Sequence, residues 1–394
     1  MDAQAVSFRV GKDELASAVG WVARNLPTKP TQPMLRAMLI SATDEGLELA
    51  GYDYEVSTKV RASADIEQTG TVAVAGRLLA EIISSLPGKP IEMKVAGNSL
   101  EVTCGTSRFE LPLIPLDDYP PMPKLPEVTG EFSPALFERA ISQVSSAAGS
   151  DDTLPMLTGI HMEIDGENVT LTATDRFRLA QRRLRWLPQV EQAKAKLLIP
   201  AKNLSDHAHT LSVSGDEQVE IAVGTGEQIG AEGLFGLHYG NRQTTMRMLD
   251  ADFPNVAPLL PKTHTSVAKV NINQLVSAIK RVTLVDRGAQ LRLQFSEGQL
   301  ILSAGASDAG HAEEMVECEY SGEDNFIIAF NARYLQTGLN SLGTENVVFG
   351  FNEPSRPAIL VPEPEQMPSR DEQGVFPTPE TDYTYLLMPV RLPG

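Results

Sequence analysis

Cysteine is scarce in this sequence: two residues, Cys104 and Cys318, in 394. Neither has a cysteine or histidine neighbour at metal-ligand spacing, which excludes a disulfide scaffold or a zinc module and leads us to expect a reduced, cytosolic compartment. Basic charge is also short. Lys and Arg total 33 against 51 Asp and Glu, a formal charge of −18, so any contact with nucleic acid must be confined to a patch. No run approaches the roughly 20 apolar residues that span a bilayer. The opening MDAQAVSFRVGKDEL lacks the basic-then-apolar order of a secretion signal. With 42% hydrophobic and 21% charged residues, the chain has the composition of folded domains, and its length exceeds what one core usually organises.

Catalytic patterns are missing too. There is no G-x-S-x-G elbow, no H-E-x-x-H helix and no reactive-cysteine signature. His207 and His209 form the only close histidine pair; two residues apart on a helix they diverge, so a solvated helix is preferred to a metal site. The pairs Asp117/Asp118 and Asp250/Asp252 precede aromatic-proline steps, where aspartate is ordinary turn chemistry. The chain reads as a non-enzyme without metal or cofactor.

What is present is internal repetition, the sign of an architecture built from copies of one unit. Leu15, Ala18, Val19 and Val22 recur as Phe137, Ala140, Ile141 and Val144, and again as Leu275, Ala278, Ile279 and Val282. Offsets of three, four and seven set each quartet on one stripe of an amphipathic helix. Five residues ahead of each stands Val10, Phe132 or Val270. A second helix is expected further along each copy, with leucines seven apart at Leu79/Leu86, Leu204/Leu211 and Leu335/Leu342. Two residues before the first leucine of each pair stands a cation: Arg77, Lys202 or Arg333. Between the helices lie strand-like runs with Glu45-Gly46, Asp165-Gly166 and Glu297-Gly298 where hairpins would turn.

Extended, proline-bearing connectors, LDDYPPMP at 116–123 and LDADFPNVAPLLP at 249–261, end the first two copies. The expected class is α+β: three repeats, 1–125, 126–263 and 264–394, each of two helices packed on antiparallel sheet. The Pro-, Glu- and Gln-rich stretch from Pro362 to Thr381 reads as a mobile hairpin loop. Cations at matching points of three repeats suit a phosphate backbone, which is a regular line of charge. The first helices add Arg24, Lys29, Lys280 and Arg281, without matched positions.

Several motifs carry a resemblance: YLLMPVRL (385–392), QPMLRAMLI (32–40), SRFELPLIPLDDYP (107–120), LPMLTGI (154–160), TATDRFRLA (172–180) and DFPNVAPLLP (252–261). They are similar to those of the bacterial DNA sliding clamp family, through all three repeats. The resemblance implies a head-to-tail homodimeric ring with helices inside and sheets outside, enclosing double-stranded DNA and tethering the replicative polymerase. It also implies a separate clamp loader and repair polymerases that bind through short peptides. By position it places the contact between chains at Phe109 and Leu111 against Leu284 and Val285. It places the peptide pocket at Leu157, Thr174, Arg176, Phe177, Arg178, Leu179, Pro254 and Leu259, with Leu386, Leu387, Met388, Pro389, Val390, Arg391 and Leu392. The family's usual glycine-histidine pair is Arg176-Phe177 in this sequence, and a usually basic position is Pro258. A peptide-binding scaffold without DNA is the alternative function.

Overall fold

The computed structural model describes residues 5–211, 217–225, 229–286, 290–306 and 310–391; Leu392 of the expected pocket lies outside them. The chain divides into two compact units: Met1–Pro134 with Leu187–Glu191 and Leu211–Met248, and Ala135–Trp186 with Gln192–Thr210 and Leu249–Gly394. The expected middle repeat therefore contributes to both.

Six helices occur among the described residues: α1 (Lys12–Asn25), α2 (Gly76–Ser85), α3 (Pro134–Ser145), α4 (Ala201–Ala208), α5 (Ile272–Val282) and α6 (Ala332–Leu342). All three repeated quartets are buried on α1, α3 and α5, as their spacing predicts. Local chemistry helps each start and stop. Asp13 and Glu14 in the first turn of α1 and Arg24 in its last complement the helix dipole. Asn271 and Asn331 cap α5 and α6 by accepting the amides of Gln274 and Tyr334, each at 3.1 Å. In α6, Gly338 allows close approach: a methyl group there would lie 2.5 Å from the Tyr385 ring. Both leucines of the expected pair lie within the helix only in α6: Leu86 is the buried residue that follows α2, and α4 ends at Ala208 and leaves Leu211 three residues beyond it.

In the first unit a five-stranded antiparallel sheet runs Asp65–Gln68, Ser7–Val10, Ile91–Ala96, Ser99–Cys104, Ser107–Pro112. A nine-stranded one runs Leu187–Pro188, Val128–Phe132, Val219–Ala222, Leu234–Tyr239, Arg242–Arg247, Val56–Ala62, Gly46–Tyr52, Ala37–Thr43, Gly70–Ala75. The second unit has a twelve-stranded sheet. Its order is Lys194–Pro200, Gly159–Asp165, Asn168–Thr174, Arg178–Arg185, Tyr383–Leu387, Ala358–Pro362, Asn346–Phe351, Ser266–Asn271, Gly310–Ser321, Gln299–Ala306, Gln290–Ser296, Phe326–Asn331. The expected hairpins form. Their turns fall at Asp44-Glu45, Gly166-Glu167 and Glu297-Gly298, within one residue of the expected pairs.

Two expectations are corrected. His207 is not on a solvated face: it is buried in α4, and burial pushes its imidazole down to about 4. The Pro362–Thr381 stretch is not a free loop. Phe376–Pro377 pairs with Thr263–His264, and the buried His264 is hydrogen-bonded through Nε2 to the Thr378 hydroxyl at 2.8 Å.

Candidate functional site

The turn between Asn168–Thr174 and Arg178–Arg185 is held by Asp175. Its carboxylate accepts the amides of Phe177 at 3.0 Å and Arg178 at 3.1 Å, and the Arg178 Nε at 2.9 Å. The Thr174 hydroxyl donates to the Arg178 carbonyl at 2.7 Å. Arg176 sits at the apex with φ 79°, a left-handed conformation that glycine adopts more readily than any residue with a Cβ. That conformation suits the glycine that the resemblance puts at this position. The Arg178 guanidinium lies 4.4 Å from the Tyr334 ring centre, and the exposed Phe177 ring stacks on Tyr334 at 6.2 Å. The Met388 amide donates to the Phe177 carbonyl at 2.9 Å, tying the C-terminal segment to this turn.

Strand parity then decides what faces the pocket. Leu179 stands opposite Leu386, and Leu386 opposite Ile359. With Val256, Val348 and Val361 they form one apolar cluster, against which Phe253, Leu260, Met367 and Met388 are packed half-buried. Thr174 is in the same row, opposite Leu179. Pro254 and Leu259 are exposed on the segment that supplies Val256, Leu259 within the short helical turn Ala257–Leu259. Pro389 and Val390 are half-buried and Arg391 exposed, and the Val390 amide donates to the Ala329 carbonyl at 2.8 Å.

Leu387 belongs elsewhere. Next to Leu386 on a strand, it points to the opposite face and joins the core around α5 and α6. On that same face the Tyr385 hydroxyl donates to the Tyr334 carbonyl at 3.0 Å, and burial raises its phenol to about 12. Leu157 is buried in the turn Pro155–Leu157, where its carbonyl accepts the Gly149 amide at 2.7 Å. Sequence reasoning missed Val348, Ile359, Val361, Phe253, Leu260 and Met367. Alternation along AILVP places Ile359 and Val361 together on one face, but only the strand pairing says which face.

The expected nucleic-acid cations divide. Arg77, Lys202 and Arg333 each occupy the second position of their helix and are exposed. Arg77 also donates through Nη2 to the Leu26 carbonyl at the end of α1. A cation in a first turn opposes the helix dipole, so helix stability does not account for the recurrence. Arg24, Lys29 and Lys280 are exposed. Arg281 is not a free cation: its Nε and Nη2 donate to both carboxylate oxygens of Glu314, the first at 2.9 Å, and hold that carboxyl below the usual carboxylate range.

At the expected contact between chains, Phe109 is 36% and Leu284 69% exposed, with Val285 half-buried. Leu111 is corrected. It lies inside the first unit's core, because the strand Ser107–Pro112 turns that position toward Leu100, its register partner. Among the described residues no group of three or more His, Cys, Asp or Glu could hold a metal ion.

Three family descriptions match in succession: DNA polymerase III beta subunit N-terminal domain over residues 6–123, central domain over 131–255 and C-terminal domain over 257–371. The beta sliding clamp of Streptomyces coelicolor is 42% identical over 390 residues, which span 99% of this chain and all of that protein. The beta sliding clamp homolog GriR of Streptomyces muensis is 40% identical over 98% of this chain and 99% of its own. The crystal structure of a Pseudomonas aeruginosa sliding clamp bound to griselimycin superposes with a TM-score of 0.86 at 27% identity, covering 98% of this chain and 100% of that one. This chain therefore belongs to the DNA polymerase III beta subunit family, the bacterial sliding clamps, whose three-domain α+β fold it shares and whose members are processivity factors and not enzymes.

Proposed function

We propose that two copies of this chain, each of three repeats at 1–125, 126–263 and 264–394, close head to tail into a ring. The ring encloses duplex DNA without reading its sequence and tethers the replicative polymerase. Attachment is then topological: leaving the DNA requires opening the ring, and ionic contacts need only centre the duplex while exchanging among phosphates. Effective concentration keeps the tethered polymerase at the primer end. The observation that carries this reading is the exposed cation at the second position of α2, α4 and α6. Exposed Phe109 on the edge strand Ser107–Pro112 and exposed Leu284 after α5 support a heterologous contact between copies.

The pocket around Leu179, Leu386 and Met388 is where the polymerase, the clamp loader and repair polymerases dock by short peptides. Its half-buried Met367 and Met388 suit a surface that accommodates several partners. The chain works inside the cell, on DNA.

The decisive experiment follows labelled protein, loaded by the clamp loader on nicked circular DNA at high salt, before and after one cut linearises the circle. Retention on the circle and loss on cutting is the expected result. Equal loss from both means an electrostatic hold only, and leaves a peptide-binding scaffold in its place.

A further inference from the structure

The sheet face that carries the apolar pocket continues past it. Opposite pairing orders that face into rows across the strands. The pocket row is Thr174, Leu179, Leu386, Ile359. Two residues further along, about 7 Å away at strand rise, lies a row that is polar: His161, Thr172, Gln181, Thr384. Beyond it come Lys196, Glu163, Thr170 and Arg183. These two rows floor a cleft of about 790 Å³.

One wall of the cleft is the segment from Phe253 to Lys262, whose Phe253 ring stacks on His161 at 4.8 Å and 6°. The other is Thr378–Glu380, from the stretch that the Thr263–His264 pairing fixes in place. Val256 and Ile359 line the cleft and also belong to the apolar cluster around Leu179 and Leu386, so the cleft and that cluster share a boundary. Their chemistry differs. The cleft is lined by three cations, Arg183, Lys196 and Lys262, against two acids, Glu163 and Glu380, in a chain where acids outnumber cations 51 to 33. Lys196 already answers Glu163 at 3.5 Å. Arg183 is held at the rim by donating to the Thr381 carbonyl at 3.1 Å, a neutral acceptor that does not compensate its charge.

We propose that this cleft is a second recognition subsite, continuous with the apolar pocket, that takes acidic residues flanking the apolar core of a bound peptide. The inference rests on the pocket reading above. A ligand running from the pocket row to the next rows passes from leucines to hydroxyl and amide groups and then to cations. Its order of chemistry must match: apolar, polar, acidic.

The test uses the whole protein and fluorescent synthetic peptides that share one leucine- and phenylalanine-containing core. Either end is extended by two aspartates, two asparagines or two lysines. At low salt the aspartate extension at one end should bind about fivefold more tightly than the asparagine one, as expected of two exposed charge contacts. Added salt should erode the difference. The double variant Arg183→Gln/Lys262→Gln should abolish the gain and leave the unextended core peptide's affinity unchanged. Equal binding of aspartate and asparagine extensions at both ends overturns the second subsite, as does a gain that survives the double variant. Failure of the unextended core to bind overturns the pocket reading itself.

Discussion

Two strand pairings join distant parts of the sequence in the same way, one in each unit: Val56–Ala62 with Arg242–Arg247, and Arg178–Arg185 with Tyr383–Leu387. Both are entered by the same turn. Asp53 accepts the amides of Glu55 and Val56 as Asp175 accepts those of Phe177 and Arg178, and the apex residues Tyr54 and Arg176 have φ 74° and 79°. The chemistry on the strands is not the same. In the first pairing Arg242 lies over the Trp21 ring of α1, and the opposite face carries Ser57 against Thr245 and Lys59 against Gln243, with Lys59 paired to Glu48 at 3.1 Å. In the second, the face away from α6 carries Leu179 against Leu386. The topology is the same in both units, and of these two pairings the one whose facing positions are leucine carries an apolar cluster on that face.

Acid should separate the units most. His207 and His264 are buried in the second unit, and burial holds each at about 4. The unfolded state takes up their protons near pH 6.5, so between about 6.5 and 4 the unfolded chain binds more protons and stability falls as pH falls. The full effect is on the order of 3 kcal/mol per histidine. The first unit contains only the half-buried His238. Trp21 and Trp186 fall in different units, so single-tryptophan variants followed by fluorescence in urea can read each; equal acid sensitivity would break the comparison.

Next in size, Leu386→Ala should cost about 2–4 kcal/mol by leaving a cavity in the pocket cluster, and Thr245→Ala under about 1 kcal/mol. Denaturant midpoints give both. Arg176→Gly should gain about 1 kcal/mol by relieving its left-handed backbone. Tyr54→Gly should gain less, because it forfeits the hydroxyl bond to Gln32 Oε1 at 3.2 Å. The smallest change is Glu314→Gln, which removes a surface ion pair to the solvated Arg281 that water largely screens. The Glu314 carboxyl is depressed when folded, so its contribution is present above the usual carboxylate range and fades as pH falls through the folded value. Thermal melts at pH 7 and pH 3 check that sign.

The helices were legible because a 3.6-residue period is local: each quartet identifies its own buried stripe from four residues. Strand faces were not. Leu386 and Leu387 are equally apolar neighbours, and only pairing to Arg178–Arg185 sends one to the pocket and the other to the core. Leu111 was misplaced for the same reason. His207 looked solvated because its pairing with His209 in sequence carries no information about the sheet beneath α4. Asp53 and Asp175 were not singled out, because service as a turn cap is set by backbone geometry and not by residue pattern.

The strand Tyr383–Leu387 lies inside the twelve-stranded sheet, with Arg178–Arg185 on one side and Ala358–Pro362 on the other. One contact across that pairing, Arg183 to Thr381, spans 198 residues of sequence. During synthesis from the N-terminus, the edge of Arg178–Arg185 must therefore wait, unpaired, for nearly the whole remainder of this sequence to be made. Pairings of such separation close slowly, and open strand edges invite foreign strands while they wait. The acidic surface has a use before the protein is folded: at −18 overall, nascent chains of this protein repel one another through the interval when the sheet is incomplete.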